Sequence, residues 1–336
     1  MDKRIELNAI LKIFPFIAGV LMIASCNFEI NERSPDPSTL ASGSVHDNID
    51  GLTGNLSPFE LLDEPEYLAY EDVNFLTDSA LVFIFKSKSD EIFIYPHQNL
   101  LVEIVNDVIG DIPVAINFCP LTGTGMVWDR RVGQDTLLMR ASGLLYRDNL
   151  VIQDSISGTL WLQMKKQGVY GPMLDHQPKT LPLVQTTWQV ARDNFRNGQV
   201  FIHDCDSICG PRNLNDPAQI NNFDQYDIGE LVYGITDPFG NVNTYHSGDY
   251  EDDFVLVQSG QNIIAIIRAY NVIVSFRSSL KFEPIFDSFP LIMQDESGSK
   301  WNLFGEAIEG PLKGKQLEDA GGFYAFKQSW ELVFFQ

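Results

Sequence analysis

Four cysteines and five histidines are the groups in this chain best suited to soft-metal or nucleophilic chemistry. His203, Cys205 and Cys209 fall in the pattern His-x-Cys-x-x-x-Cys. Joined by Cys119 they would supply four ligands of the kind that hold zinc or copper(I). The competing reading is a Cys205–Cys209 disulfide with Cys119 left over, which suits an oxidising compartment. Three pairings of these thiols are open, and spacing does not choose among them. Cys119 is also a candidate nucleophile, provided that His97, His176 or His203 lies close enough in space to act as its base. Arg130 and Asp154 complete the candidate catalytic set. Arg130 and Arg131 follow Asp129 and could hold an anion, although an ion pair with Asp129 or Asp154 is the plainer role. Asp154 would work as an acid or base only if it met a partner such as Asp295 in one cleft.

Other chemistries lack their signatures. Ser142-Gly143 is not the Gly-x-Ser-x-Gly elbow of a hydrolase, and the chain has no Gly-rich phosphate loop, zinc-protease helix or kinase signature. The acidic run Asp249-Tyr250-Glu251-Asp252-Asp253 lacks the alternate-position spacing of a calcium loop. With 23 basic and 45 acidic residues among 336, the formal charge is −22. Such a surface repels phosphate backbones, so nucleic acid is not an expected partner. A hydrophobic share of 44% is ample for a folded core.

The N-terminus points to an address. Lys3 and Arg4 precede an apolar stretch from Ala9 to Ala24, interrupted by Lys12 and Pro15. It is too short for a comfortable spanning helix and suits an export signal. It ends in Ile23-Ala24-Ser25-Cys26, which resembles the bacterial lipobox, where the cysteine thiol is alkylated with diacylglycerol and becomes the first mature residue. Further acylation, for example by palmitate, would make anchoring stable, since each buried methylene contributes about 0.8 kcal/mol. The expectation is a signal peptide over 1–25, lipidation at Cys26 and a cell-envelope location, with the outer membrane favoured. The membrane is then a partner through the lipid; a protein or small-molecule partner is left open.

The body reads as two similar units. Asp154, Trp161, Gly171-Pro172 and Trp188 return as Asp295, Trp301, Gly310-Pro311 and Trp330, at nearly constant spacing. Runs such as 81–85, 91–95, 112–118, 262–267 and 272–276 are β-branched and aromatic, and read as strands. Thr186–Phe195 and Phe323–Phe334 are the expected short helices. The resulting expectation is a mainly β fold with a few short helices, arranged as two tandem pseudo-repeats. A flexible tether is expected over 26–70, a first β-rich repeat over 71–202, a polar insertion over 203–258 and a shorter second repeat over 259–336.

Several motifs in the first unit also follow a familiar order. They are Glu103-Ile104-Val105-Asn106-Asp107, Phe118-Cys119-Pro120-Leu121-Thr122-Gly123-Thr124-Gly125, Trp128-Asp129-Arg130-Arg131-Val132 and Ala141-Ser142-Gly143-Leu144-Leu145-Tyr146. With Asn149-Leu150, 154–161, Gly171-Pro172 and Thr186-Thr187-Trp188, they resemble the bacterial family of domain of unknown function 3179, as does the stretch 298–330. The resemblance implies Cys-Pro-Leu-Cys where this chain has Cys119-Pro120-Leu121-Thr122. It also implies Trp-His where this chain has Leu101-Val102. The loss of a thiol and an imidazole moves the expectation away from metal or redox chemistry. The leading expectation is an envelope lipoprotein that binds a ligand or serves in an assembly. The alternative is a thiol- or metal-dependent enzyme, or a copper- or zinc-binding protein, using Cys119 with His and Cys from the insertion.

Overall fold

The computed structural model describes residues 49–56, 58–101, 103–203, 231–236 and 241–335. Among these residues the chain is mainly β, as its apolar runs suggest, with short α-helices at Trp188–Asn194 and Lys327–Phe334. Both begin later than expected, because the residues before them pair as strands. Thr186 lies opposite Val82, and the hydroxyl of Thr187 caps the first helix by accepting from the Val190 amide.

The strands of the first half are as follows. After the edge strand β1 (Leu52–Gly54), the chain runs through β2 (Glu66–Ala69), β3 (Leu81–Lys86) and β4 (Ile92–Pro96). Then come β5 (Ile104–Ile109), β6 (Ile112–Cys119) and β7 (Thr124–Asp129), with a small ribbon of β8 (Arg131–Val132) and β9 (Asp135–Thr136). A third group holds β10 (Met139–Tyr146), β11 (Asn149–Asp154), β12 (Leu160–Leu162) and β13 (Gln167–Tyr170). The half closes with β14 (Lys179–Leu181), β15 (Val184–Thr187), the first helix and β16 (Gln199–Ile202).

The second half has fewer described strands. It has β17 (Leu231–Thr236) and β18 (Val242–Tyr245), then β19 (Phe254–Ser259), β20 (Asn262–Ile267) and β21 (Val272–Arg277). The chain continues through β22 (Phe282–Pro284), β23 (Leu291–Asp295), β24 (Lys300–Asn302) and β25 (Ala307–Glu309). It ends with β26 (Glu318–Asp319), β27 (Phe323–Phe326) and the second helix. The sheets match strand for strand: β14-β7-β6-β5 against β26-β21-β20-β19, and β10-β11-β12-β13 against β22-β23-β24-β25. The hairpin β3-β4 with β15 likewise matches β17-β18 with β27.

This pairing redraws two boundaries. The polar insertion expected over 203–258 contains β17, β18 and most of β19, so strands of the second half are already present from Leu231. The apolar Leu231–Tyr233 run was outweighed there by the Asn, Asp and Gly around it. The tether expected to reach residue 70 is ordered from Leu52 onward: β1 pairs with β10, Leu62 bridges Val105, and β2 pairs with β16. Short strands that borrow a neighbour's ladder need little hydrophobic period of their own.

The core is reciprocal. One face of β3-β4 packs on β5-β6-β7 through Phe83, Phe93, Ile116 and Phe118. Its other face, with Trp188, shares an apolar cluster with Ile263, Val274 and Trp301 of the second half. Conversely Val232, Phe323 and Trp330 of the second half join Trp128, Ile152 and Trp161 of the first. Each half therefore completes the other's core.

The Gly-Pro landmarks have a backbone cause. Gly171 and Gly310 both take positive φ, and a side chain on either would meet the backbone of Thr159 or Ser299 at 2.9 and 2.5 Å. Only glycine permits so close a return of the chain.

Candidate functional site

The motif around Cys119 sits at the β6-β7 turn, over a buried polar network. Asn149 Nδ2 donates to Thr122 Oγ1 at 3.0 Å and to Gln163 Oε1 at 2.8 Å. Gln163 Nε2 in turn donates to Asn117 Oδ1 at 2.8 Å and to the Thr124 carbonyl at 3.1 Å. Thr122 Oγ1 donates to Thr124 Oγ1 at 3.1 Å, and the Asn149 side-chain oxygen accepts from the Met164 amide. All five side chains are buried. The hydroxyl that stands where the resemblance implies a second thiol is thus part of this network and fixes the turn. The turn also ties the halves together, since the Phe326 amide donates to the Thr122 carbonyl at 2.9 Å.

Cys119 is a free thiol, 1% exposed, with its Sγ 3.7 Å from the Asp148 carbonyl. Burial pushes the thiol's pKa up; the Thr122 side chain opposes it, and the nearby Glu103 carboxyl adds a smaller upward push. A thiol held in its protonated form is a poor nucleophile and a poor metal ligand. Of its three candidate bases, His97 stacks on Phe83 and Phe118, with centroids 4.2 and 4.7 Å apart. Successive residues of a strand face opposite ways, so Phe118 and its imidazole partner lie across β6 from Cys119. Desolvation takes the His97 pKa down to about 3. His176 is exposed on the β13-β14 connection, and His203 stacks on Phe201 at 6.2 Å.

The other candidates serve the backbone. Arg130 is buried and donates to the carbonyls of Val114, Leu137 and Asp107 at 2.9, 2.7 and 3.0 Å. It is Arg131 that pairs with Asp129, at 2.6 Å. Asp154 is fully buried, and its carboxylate accepts from the amides of Leu138, Ile156 and Ser157 at 3.1, 3.2 and 2.8 Å. Asp295 caps its own turn through Ser297, Ser299 and the Trp301 indole. Neither Arg130 nor Asp154 presents a free polar atom of the sort catalysis requires. Cys26, Cys205 and Cys209 lie outside the described residues, so lipidation and the Cys205–Cys209 disulfide stand as expectations. Among the described residues no group of three or more His, Cys, Asp or Glu is placed to hold a metal ion.

Much of the motif's remainder is architectural. Asn106 donates to the carbonyls of Leu62 and Met139 and accepts from the Met139 amide. Asp107 accepts from the Tyr67 hydroxyl at 2.6 Å, beside Tyr95. Desolvation raises the Glu103 carboxyl to about 7.

A broad groove lies elsewhere, between strands of both halves, with a volume of about 1240 Å³. Lys86, Lys88, Lys165, Lys166, Lys179 and Arg277 line it, six of the 23 basic residues of the whole chain. Three carboxylates face them. Glu306 pairs with Lys86 at 2.7 Å, Glu318 with Arg277 at 3.1 Å, and Asp319 lies in the field of Lys166. Lys88, Lys165 and Lys179 have no ion-pair partner among the described residues. Sequence reading missed this site because its residues are spread from 86 to 319. Only the Lys165-Lys166 doublet offered a local signal.

No helix among the described residues is long and apolar enough to cross a membrane. No curated protein and no solved structure matches the chain. Residues 60–336 match the family described as "Protein of unknown function (DUF3179)", which spans the matched strands of both halves and the turn that carries Cys119. The chain therefore belongs to the DUF3179 family.

Proposed function

We propose that this protein is a cell-envelope lipoprotein, tethered through Cys26, that works by binding a ligand rather than by thiol or metal catalysis. The two halves are read as copies of one unit that diverged, leaving a groove between them. The observation that carries the binding reading is that groove, where ammonium groups outnumber the carboxylates that could neutralise them. The candidate catalytic groups support it from the other side: a protonated buried thiol, a guanidinium engaged by three carbonyls and a carboxylate engaged by three amides leave little to catalyse with. The lipid address rests on Ile23-Ala24-Ser25-Cys26.

Intact-mass spectrometry of detergent-extracted protein tests the anchor. The expected mass lacks residues 1–25 and carries a diacylglyceryl group at Cys26, and Cys26→Ser abolishes both changes. An unprocessed start without an adduct overturns the address. Thiol titration with added zinc or copper(I) tests the non-catalytic reading. Protection of Cys119 by stoichiometric metal would overturn it.

A further inference from the structure

We infer that the groove between the halves is a binding site for a small organic polyanion carrying two or more carboxylate or phosphate groups. The inference deepens the binding reading above and rests on it. Its first support is the charge count. Three cations are matched by Glu306, Glu318 and Asp319, and three are not. Lys86 has a further partner in Asp90, so it is fully occupied. Lys179 does sit opposite Asp129, but the Asp129 carboxylate is taken by Arg131 at 2.9 and 2.6 Å. Lys165 has an aromatic partner instead of an anionic one, its ammonium lying 4.1 Å from the centre of the Phe334 ring. Arg147 adds positive field at Lys165, while its own NH1 is held by the Leu332 carbonyl.

Such a concentration is improbable on chemical grounds in a chain with 45 acidic residues unless something offsets it. Like charges drawn into one concavity repel, and low-dielectric walls strengthen the field there. An anion that enters relieves that repulsion. The unmatched groups are lysines, which act as point charges on flexible stems and do not impose the planar fork of arginine. They therefore suit carboxylate and phosphate alike. Thr180 and Gln316 also line the groove, but their donors are taken by Asp319 and by the Phe304 and Leu317 carbonyls, which leaves the lysines as the groups that would meet an anion.

The size of the anion is bounded from both sides. The groove is roomier than the ~300–1,000 Å³ of common small-molecule pockets, so it accepts more than a single inorganic ion. A long polyanion would run out of the groove onto a surface whose overall charge is −22. The field thus selects a ligand that fits within the cationic wall.

Full-length protein in neutral detergent provides the test, by calorimetry at low and high salt. The probes are inositol hexakisphosphate, citrate, inorganic phosphate and a 20-nucleotide single strand. The expected result is salt-weakened binding of inositol hexakisphosphate or citrate, stronger than that of inorganic phosphate or the oligonucleotide. The preferred probe tells a polyphosphate ligand from a polycarboxylate one. Each neutralised lysine should weaken binding about threefold, and the triple variant K88Q/K165Q/K179Q about thirtyfold. The double variant K88Q/K179Q touches only exposed side chains, so it keeps the native melting temperature and still loses about tenfold. Binding of neither polyanion, equal binding by the variants, or preference for phosphate or the oligonucleotide would overturn the inference. Such a failure, alongside a lipidated Cys26 and metal-indifferent thiols, would leave the envelope reading standing and remove only the polyanion.

Discussion

The two halves share a strand order but differ beneath their equivalent turns. In the first half the β6-β7 turn covers Asn117, Thr122, Thr124, Asn149 and Gln163, which satisfy one another. In the second, the β20-β21 turn covers apolar groups. Val272 opens β21 as Thr124 opens β7, and Leu303 follows β24 as Gln163 follows β12. Counted back from the strand end, Ala265 stands where Asn117 stands, and Pro290 precedes β23 where Asn149 begins β11. One architecture therefore tolerates either interior. Burying hydrogen-bonded polar groups gains little over apolar packing, but it fixes one arrangement, because each member left alone would be unsatisfied. The turn bearing Cys119 is held by geometry, whereas its counterpart is held by burial. The acids of the two halves differ similarly. Asp295 accepts a hydrogen bond from the Trp301 indole N–H at 2.8 Å, while Asp154 accepts from the Leu138 amide instead and the Trp161 indole nitrogen has no hydrogen-bond partner among the described residues.

The largest expected effect tests whether the halves truly depend on each other. Trp188 opens the first helix and Trp330 lies one turn into the second; each is 1% exposed, and each packs in the cluster dominated by the opposite half. Trp188→Ala should cost about 3–5 kcal/mol by urea unfolding, the range for deleting a buried aromatic. Its signature is where the damage appears. Hydrogen exchange should quicken in β20 to β24 of the second half, and Trp330→Ala should do the same in β10 to β12 of the first. Exchange confined to the mutated half would break the reciprocal core.

The polar interior is the next target. Gln163→Leu copies the second half's Leu303 and strands Asn117 Oδ1 and the Asn149 amide. A loss of about 1–3 kcal/mol is expected, the cost of unsatisfied buried groups. Adding Asn117→Ala, which copies Ala265, removes one orphan, so the double variant should lose less than the sum of the two single changes. Strict additivity in that cycle would mean that the network is not a unit.

What could be read from the residues, and what could not, follows the range of the forces involved. The strands at 81–86, 112–119 and 262–267 are legible because apolar and β-branched runs bound by turn residues are local signals. Of the sequence landmarks, Asp154 and Asp295 end the corresponding strands β11 and β23, whereas Trp188 opens the first helix and Trp330 lies three residues into the second. β2 and β17 escaped, as their strand character depends on the partners β16 and β27. The candidate residues were found but their roles were not. Nothing in the string shows that Arg130 meets three carbonyls, one of them 23 residues upstream. The groove was hidden for a further reason: a formal charge of −22 is an average, and a field depends on placement.

Glu103 gives the smallest and sharpest contrast. It precedes β5 as Asp253 precedes β19, yet Glu103 is half-buried and Asp253 exposed. Desolvation raises the Glu103 carboxyl to about 7, so the folded protein holds its proton more tightly than the unfolded chain does. The stability this proton contributes is fully present below the unfolded value near 4.5 and is lost as pH rises through 7. Glu103→Gln fixes the group neutral and cancels that loss. The variant's unfolding free energy should therefore gain on the parent's by about 1–2 kcal/mol between pH 5 and pH 8, with allowance for partial exposure. Parallel pH profiles would place the Glu103 carboxylate in water, and with it would fall the added negative field that keeps the Cys119 thiol protonated.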